Sequence, residues 1–373
     1  MASGSRDLVL VGGGHAHLEV LRSWPATPDP GVRLCVVAAD PRSVYSGMVP
    51  GLIAGRYAPS DLAIDVRPLA ARVGARLVVA RATGIDAGAH RIELAGAAPL
   101  PFDVASLDVG SEAGGAELPG VARHALAARP LDRLLHGLDA MLARARAMER
   151  FRVAVVGGGA GGMEIAFAVR ARLAREGLAG AGVVLLEAAP RLLPALRERV
   201  ARRVERAARA RGIELRLGAV VASIDEKSVT LASGATLECD TAIWAAGASG
   251  PAWLAASGLP TDRAGFVRVG PTLQVEGRGE LFAAGDCAAL EPPLPKAGVH
   301  AVRQGPVLAR NLRAALDGRP LESYRPQRDA LALLNLGDGR ALGTKWGVSF
   351  EGRLGFALKD WIDRRYVRRM RTA

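Results

Sequence analysis

The sequence is poor in several residue types. Its 373 residues include three cysteines and four lysines, and only 4% are aromatic. Cys35, Cys239 and Cys287 stand far apart, with no C-x-x-C or comparable close pair, so neither a local redox disulphide nor a zinc knuckle is expected. Sparse aromatics leave few platforms for stacking bases. That tempers the formal net charge of +12, which by itself would suggest a polyanionic partner. Almost all the positive charge is arginine, the lysines being Lys227, Lys296, Lys345 and Lys359, and arginine and alanine abound throughout. A compositional bias accounts for this, and no nucleic-acid partner is expected. The most apolar stretch, Val153 to Val169, is broken by glycines and Glu164, which does not suit a membrane span. The opening "MASGSRDLVLVGGG" lacks the cationic stretch, apolar run and cleavage site of a signal peptide. A reducing, cytoplasmic compartment is the expectation.

What is present is glycine, 45 of them, with 22 prolines and a hydrophobic share of 50%, enough for two compact domains with a sizeable core. Two segments share one pattern: "DLVLVGGGHAHLEVL" and "RVAVVGGGAGGMEIAFAV", each an apolar strand, a glycine turn and a helical stretch. Each is followed by another apolar strand, ending at Asp40 and near Glu187, at the spacing of nucleotide-binding βα units. Short β-like runs "ARLVVA" and "RIEL" lie between, then a helix with Leu131, Leu134, Leu135, Leu138 and Met141 at helical spacing. Further on come the buried strand "AIWAAG", the strand and turn "LFAAGDCA" and a long helix in "AGVHAVRQGPVLARNLRAAL".

The second glycine turn satisfies G-x-G-x-x-G through Gly157, Gly159 and Gly162, so the backbone can approach a pyrophosphate at a helix N-terminus. Glu187 is placed to accept from an adenosine ribose and to repel a 2′-phosphate, favouring NADH; nearby Arg191 could instead hold that phosphate, which keeps NADPH open. The first turn keeps Gly12 and Gly14 but puts His17 where a third glycine belongs. His15 and His17, two residues apart, diverge on a helix and cannot chelate one metal, so no metal site is expected. His17 either pushes the helix outward or places an imidazole beside the cofactor. The strand ending in Gly285-Asp286 brings a carboxylate to the sheet end, where a ribityl hydroxyl and phosphate could be held.

The order of first glycine turn, "GGGAGGMEIA", "AIWAAG" and "FAAGDCA" resembles the pyridine nucleotide-disulphide oxidoreductase superfamily over residues 6–320. The resemblance implies an α/β fold with two Rossmann-like, three-layer ββα dinucleotide-binding domains, the NAD(P) domain inserted in the FAD domain. It places the FAD domain at 1–115 and 241–325, the NAD(P)H domain at 116–240 and a small C-terminal region at 326–373. Non-covalent FAD would then fall to Gly12, Gly14, Asp40, Gly285 and Asp286, with His15 and His17 beside it. The nicotinamide cofactor would fall to Gly157, Gly159, Gly162 and Glu187, and Gly247 of "AIWAAG" would also line a cofactor. Glu164 matches a glutamate near the nicotinamide, and Pro50, Lys296 and His300 are the candidates around the flavin ring.

"VGGGHAHLEVL" with "YSGMVPGLIAG" further resembles a group related to type II NADH dehydrogenases, sometimes fused to selenide, water dikinase. The implied activity is hydride transfer from NADH to FAD, without a redox-active disulphide, then electron delivery to a quinone-like or other small acceptor. The A-Q-x-A-x-Q pattern that flanks quinone in those enzymes is replaced by Gly298 to Arg303. The alternatives are a reductase for a ferredoxin-type carrier, or a flavin-binding partner or redox sensor linked to selenium metabolism. In the tail, Leu354, Leu358, Trp361, Ile362, Tyr366 and Met370 form an apolar helical stripe among Lys359, Arg364, Arg365, Arg368, Arg369 and Arg371. Such a helix suits peripheral contact with the inner face of an anionic membrane, or docking on its own protein or on a second subunit.

Overall fold

Alternate residues of the strand Arg6–Val11 serve two different cores. Leu8 and Leu10 pack with Leu18, Leu308 and Leu312 from helices, whereas Val9 and Val11 pack with Ile85, Ile92 and Leu94. The period of two survives although both faces are buried, as a covered parallel sheet requires. The computed structural model describes residues 5–372 apart from 28, 328 and 329. In it this strand lies inside a six-stranded sheet in the order Gln274–Val275, Arg278–Ala283, Val104–Leu107, Arg6–Val11, Val32–Ala38 and Arg76–Val79. All neighbours are parallel except the first pair. One face carries the helices His15–Ser23 and Gly298–Leu316; the other carries the meander Ala82–Asp86, Arg91–Leu94 and Ala97–Pro101. The two helices touch closely, since a Cβ on Gly305 would sit 2.3 Å from Glu19 Cβ.

The second sheet repeats the plan with five parallel strands: Ala125–Ala127, Thr241–Trp244, Phe151–Val156, Ala181–Glu187 and Ile213–Leu217. Val153 and Val155 face the helix Ala160–Arg175, and Ala154 and Val156 face the meander Val221–Ile224, Ser228–Leu231 and Thr236–Glu238. The chain leaves the first sheet after Leu107, completes the second, and returns through Arg278–Ala283. The mixed α/β architecture with two Rossmann-like units is therefore as the sequence implies.

The C-terminal helix docks on its own protein along part of its length. Strands Ala332–Asn335, Ala341–Lys345 and Val348–Gly352 form a third meander, and the helix Arg353–Arg371 follows. The six-residue apolar stripe does not face one environment: Tyr366 and Met370 are buried in the first core, Ile362 is half-buried, and only Leu354, Leu358 and Trp361 are exposed. The basic residues divide likewise. Arg369 pairs with buried Glu19, Arg371 donates to the carbonyls of Ser60 and Ala63, Arg364 pairs with Asp360, and Lys359 is buried against Asp363. The helix is part of the fold and not an appended arm.

Burying Tyr366, Val367 and Met370 contributes about 1.5–3 kcal/mol each, which together approaches the whole net stability of an ordinary domain. Deleting residues 353–373 is therefore expected to abolish a cooperative thermal transition. A truncated protein melting at the full-length midpoint would show the helix to be dispensable.

Candidate functional site

Both glycine turns are built on the same hydrogen bond. Gly12 N donates to Val37 O at 2.7 Å, and Gly157 N donates to Leu186 O at 2.8 Å, each linking the turn to the neighbouring strand. Both residues are left-handed, with φ of +103° and +109°. A Cβ on Gly12 would lie 2.2 Å from Asp108 O, and one on Gly157 would lie 2.8 Å from the Ala245 backbone. Only glycine serves there. Gly159 is different, because a Cβ would meet nothing within 4 Å; the loop is bare on that side, leaving its backbone open to a ligand.

The third position explains His17. In the second unit a Cβ on Gly162 would lie 2.0 Å from Gly157 O, so helix and turn are in contact. In the first unit the corresponding carbonyl, Gly12 O, accepts from His17 Nδ1 at 2.7 Å, and His17 Nε2 lies 2.9 Å from Ser106 Oγ. A carbonyl only accepts, so Nδ1 carries the proton and the Ser106 hydroxyl donates to Nε2. Burial holds this imidazole neutral, with its pKa lowered to about 4. His17 is thus a brace between the turn, its helix and the strand Val104–Leu107. The expectation of an imidazole beside the cofactor is corrected: the ring points inward.

Asp108, which sequence reasoning missed, lies beneath the same turn. Its Oδ2 accepts from Ala16 N at 2.8 Å and His17 N at 3.2 Å, capping the helix. Its carboxyl group also fills the space beside Gly14 and Gly285, where added Cβ atoms would come within 2.2 and 2.3 Å of it. Burial pushes its pKa up to about 7, with Asp286 also raising it. The signal was legible: Ser106 and Asp108 are polar residues in the otherwise apolar run "VASLDVG".

Around this point the predicted residues gather. Gly285 is left-handed at φ +68°, and its N–H donates to Gln304 Oε1 at 2.7 Å. Asp286 pairs with Arg129 at 2.8 Å, another residue not foreseen. His15 stacks near Tyr45 and Tyr366, with centroids 5.3 and 6.0 Å away, and burial lowers its pKa to about 4. His15 Nε2 and the Tyr366 hydroxyl are buried without a protein partner. Those two orphaned polar atoms, together with the bare glycine loops, fit a bound dinucleotide. Asp40, just beyond the strand Val32–Ala38, is exposed beside Arg42. His300 is half-buried on the first turn of its helix, its pKa lowered by burial and then by Arg303.

Two candidates are engaged elsewhere. The Pro50 ring is buried within the short helix Val49–Ile53, and Lys296 Nζ donates to Ala288 O at 2.6 Å while lying 3.7 Å from the Phe266 ring centroid. Both side chains are held by these contacts within the protein. None of the cysteines is paired; Cys239 and Cys287 are buried, and burial pushes the Cys287 thiol up to about 12.

At the second turn Glu187 Oε2 accepts from Gly158 N at 2.5 Å and Oε1 from Ala189 N at 2.7 Å, so the carboxylate sits at the mouth of the loop. Arg191 is occupied, donating to the carbonyls of Leu193, Pro194 and Leu196. Gly247, left-handed at φ +64°, lies against Gly114 where the chain passes between the sheets. Glu164 projects from the helix Ala160–Arg175 and accepts from Asn335 N at 2.7 Å; burial raises its pKa, and the nearby Lys359 opposes that.

Lys359 leads to a buried polar chain. Its Nζ donates to Gly47 O at 2.7 Å and to Asp363 Oδ2 at 2.8 Å, and the Tyr45 hydroxyl donates to Asp363 Oδ1 at 3.2 Å. The C-terminal helix thereby reaches the 45–50 loop beside His15. Nothing in the sequence periodicity marks Lys359 as buried, because lysine at a helix surface is the ordinary case.

A type II NADH:quinone oxidoreductase of Staphylococcus saprophyticus is 26% identical over 336 residues, covering 84% of this chain and 83% of the relative. Among solved structures, NDH2 from Plasmodium falciparum in complex with NADH superposes with a TM-score of 0.84 at 13% identity, covering 99% of this chain and 98% of that one. The sulfide:quinone oxidoreductase of Aquifex aeolicus gives 0.83 at 16% identity, covering 99% and 92%. At those identities the structures establish the fold. The family model described as pyridine nucleotide-disulphide oxidoreductase matches residues 6–305. The chain therefore belongs to the pyridine nucleotide-disulphide oxidoreductase family, as an FAD- and NAD(P)H-dependent oxidoreductase.

Proposed function

We propose that this protein oxidises NADH and reduces a quinone-like small acceptor at a membrane surface. Gly12, Gly14, Gly285 and Asp286 hold FAD, with Asp40 toward its adenosine ribose; Gly157, Gly159 and Gly162 hold the nicotinamide dinucleotide. FAD, when bound, accepts hydride from the nicotinamide and passes two electrons onward. The protein's own contribution is orientation, exclusion of water and management of protons.

The observation that carries the acceptor reading is the hydrogen-bonded chain Lys359, Asp363 and Tyr45, with the buried Glu164 carboxyl within the field of Lys359. A quinone reduced by NADH takes up one proton beyond the hydride, whereas a ferredoxin-type carrier takes electrons alone. Buried groups that can hold a proton beside the 45–50 loop serve the first case. The absence of a paired cysteine among the described residues leaves no thiol relay to a disulphide substrate. Where relatives of this type carry glutamine this chain has Val299 and Arg303, and His300 between them is the polar side chain we assign to the acceptor end of the site.

The second cofactor is NADH in preference to NADPH. Glu187 stands where a ribose hydroxyl would donate to it, and Arg191, bound to three carbonyls, is not free to receive a 2′-phosphate. Glu187→Arg is expected to lower kcat/KM for NADH at least about tenfold, roughly 1.4 kcal/mol, and to raise the NADPH to NADH preference ratio. An unchanged ratio in steady-state kinetics would remove Glu187 from the site, whatever the absolute rates.

For the membrane, the meander tip exposes Trp346 at 73% and Val348 at 68%, and the C-terminal helix exposes Leu354 at 86% and Trp361 at 53%. Arg199, Arg202, Arg203 and Arg206 line the adjoining groove beside Gly347 and Val348. Exposed aromatics and aliphatics with a cationic rim fit the headgroup region of an anionic bilayer. No described helix is long and apolar enough to cross one. The double substitution Leu354→Asp and Trp361→Asp should leave flavin content and melting unchanged but abolish salt-sensitive sedimentation with anionic vesicles. Retained sedimentation would exclude this surface.

A further inference from the structure

We propose that Asp108 couples FAD binding to uptake of one proton, so that flavin affinity is set by the protonation of a carboxyl group built into the cofactor loop. This rests on the placing of FAD at the first glycine turn.

The starting point is position. Of the backbone amides that a helix N-terminus offers an anion, Ala16 N and His17 N are already taken by Asp108 Oδ2. The carboxyl group is nearly sealed from solvent at 3% exposure, between the Gly12–Gly14 turn and Gly285, the two segments that flank a flavin dinucleotide. The same turn faces a pyrophosphate, which is doubly ionised. An anion placed beside a buried carboxylate disfavours its charged form. Both hydrogen bonds fall on Oδ2, so Oδ1 is free to carry the proton without breaking the helix cap.

The surrounding charges do not remove the conflict. From the helix after the turn, His15 and His17 are held neutral by burial and offer no counter-charge. From the Gly285–Cys287 turn, Asp286 adds negative charge and the Cys287 thiol is neutral. The Arg129 guanidinium is directed to Asp286 at 2.8 Å. Lys296 is turned to Ala288 O, and from the C-terminal helix Tyr366 is a neutral phenol. Burial already raises the Asp108 pKa to about 7, and a neighbouring pyrophosphate moves it higher.

The sign of the linkage follows. A group whose pKa rises on binding is protonated in the complex and ionised in the free protein between the two values. Binding there takes up a proton and weakens as pH rises, by up to about tenfold per pH unit. The test is reconstitution of flavin-stripped protein with FAD, with dissociation constants read from flavin fluorescence between pH 6 and 9, below ionisation of the flavin ring. The wild type should bind progressively more weakly above pH 7. Asp108→Asn, which keeps an oxygen for the two amides and cannot ionise, should show a flat profile and tighter binding than wild type at the alkaline end. A flat wild-type profile, or the same slope in the Asn variant, would overturn the proposal. If the variant does not fold, calorimetry of the wild type in two buffers of different ionisation enthalpy decides it, since no net proton uptake above pH 7 is equally fatal. Failure to bind FAD at any pH would instead overturn the flavin site itself, and this inference with it.

Discussion

Everything at the cofactor site depends on one close approach: the first glycine of each turn presents its carbonyl to the helix that follows. In the second unit the helix answers with Gly162, bare enough to rest on Gly157 O. In the first, His17 answers by donating a hydrogen bond to Gly12 O and accepting one from Ser106. The two solutions satisfy the same constraint with opposite chemistry. Contact without a side chain gains proximity alone; the imidazole gains a polar network linking turn, helix and strand, with its buried nitrogens satisfied. A missing third glycine is therefore no sign of a decayed site.

That substitution has a neighbour that makes sense of it. His17 meets Ser106 at the strand end, and Asp108, two residues on, caps the helix His15–Ser23. The loop carries negative charge where many dinucleotide loops present only amides, which is the origin of the conflict between carboxylate and pyrophosphate.

How much of this was legible in the sequence divides along physical lines. The two parallel sheets could be read because strand, glycine turn and helix are local patterns, and Gly157-x-Gly159-x-x-Gly162 states its own geometry. Glu187 and Asp286 could be placed because each ends an apolar strand. What local pattern cannot show is which distant element supplies a partner. Arg129 meets Asp286 across 157 residues, and Lys359 meets Gly47 across 312. The contacts of Pro50 and Lys296 were hidden for the same reason: Pro50 is buried within the helix Val49–Ile53, and Lys296 lies over the Phe266 ring. The C-terminal stripe left its covering open because helical periodicity identifies a face and not what covers it; here the protein covers Tyr366 and Met370 while leaving Leu354 and Trp361 bare.

The same reasoning resolves the excess of arginine. A net charge of +12 spread evenly would attract any polyanion, but much of it is internally engaged. Arg33 is matched to Asp7, Arg152 and Arg216 to Glu214, Arg211 to Asp338 and Glu351, and Arg369 to Glu19. Exposed pairs of this kind add little stability, yet they cancel charge locally. Along the helix Glu198–Ala210 the balance fails: Glu198 serves Arg202 and Glu205 serves Arg209, leaving Arg199 and Arg206 beside a groove whose other wall holds Val348. Uncompensated charge and uncovered apolar surface coincide at the meander tip, which is what the proposed membrane contact requires. The strand Val348–Gly352 leads from this tip to the helix whose interior carries Lys359 and Asp363 to the 45–50 loop. An acceptor dissolved in the bilayer would thus meet the protein where its polar chain begins.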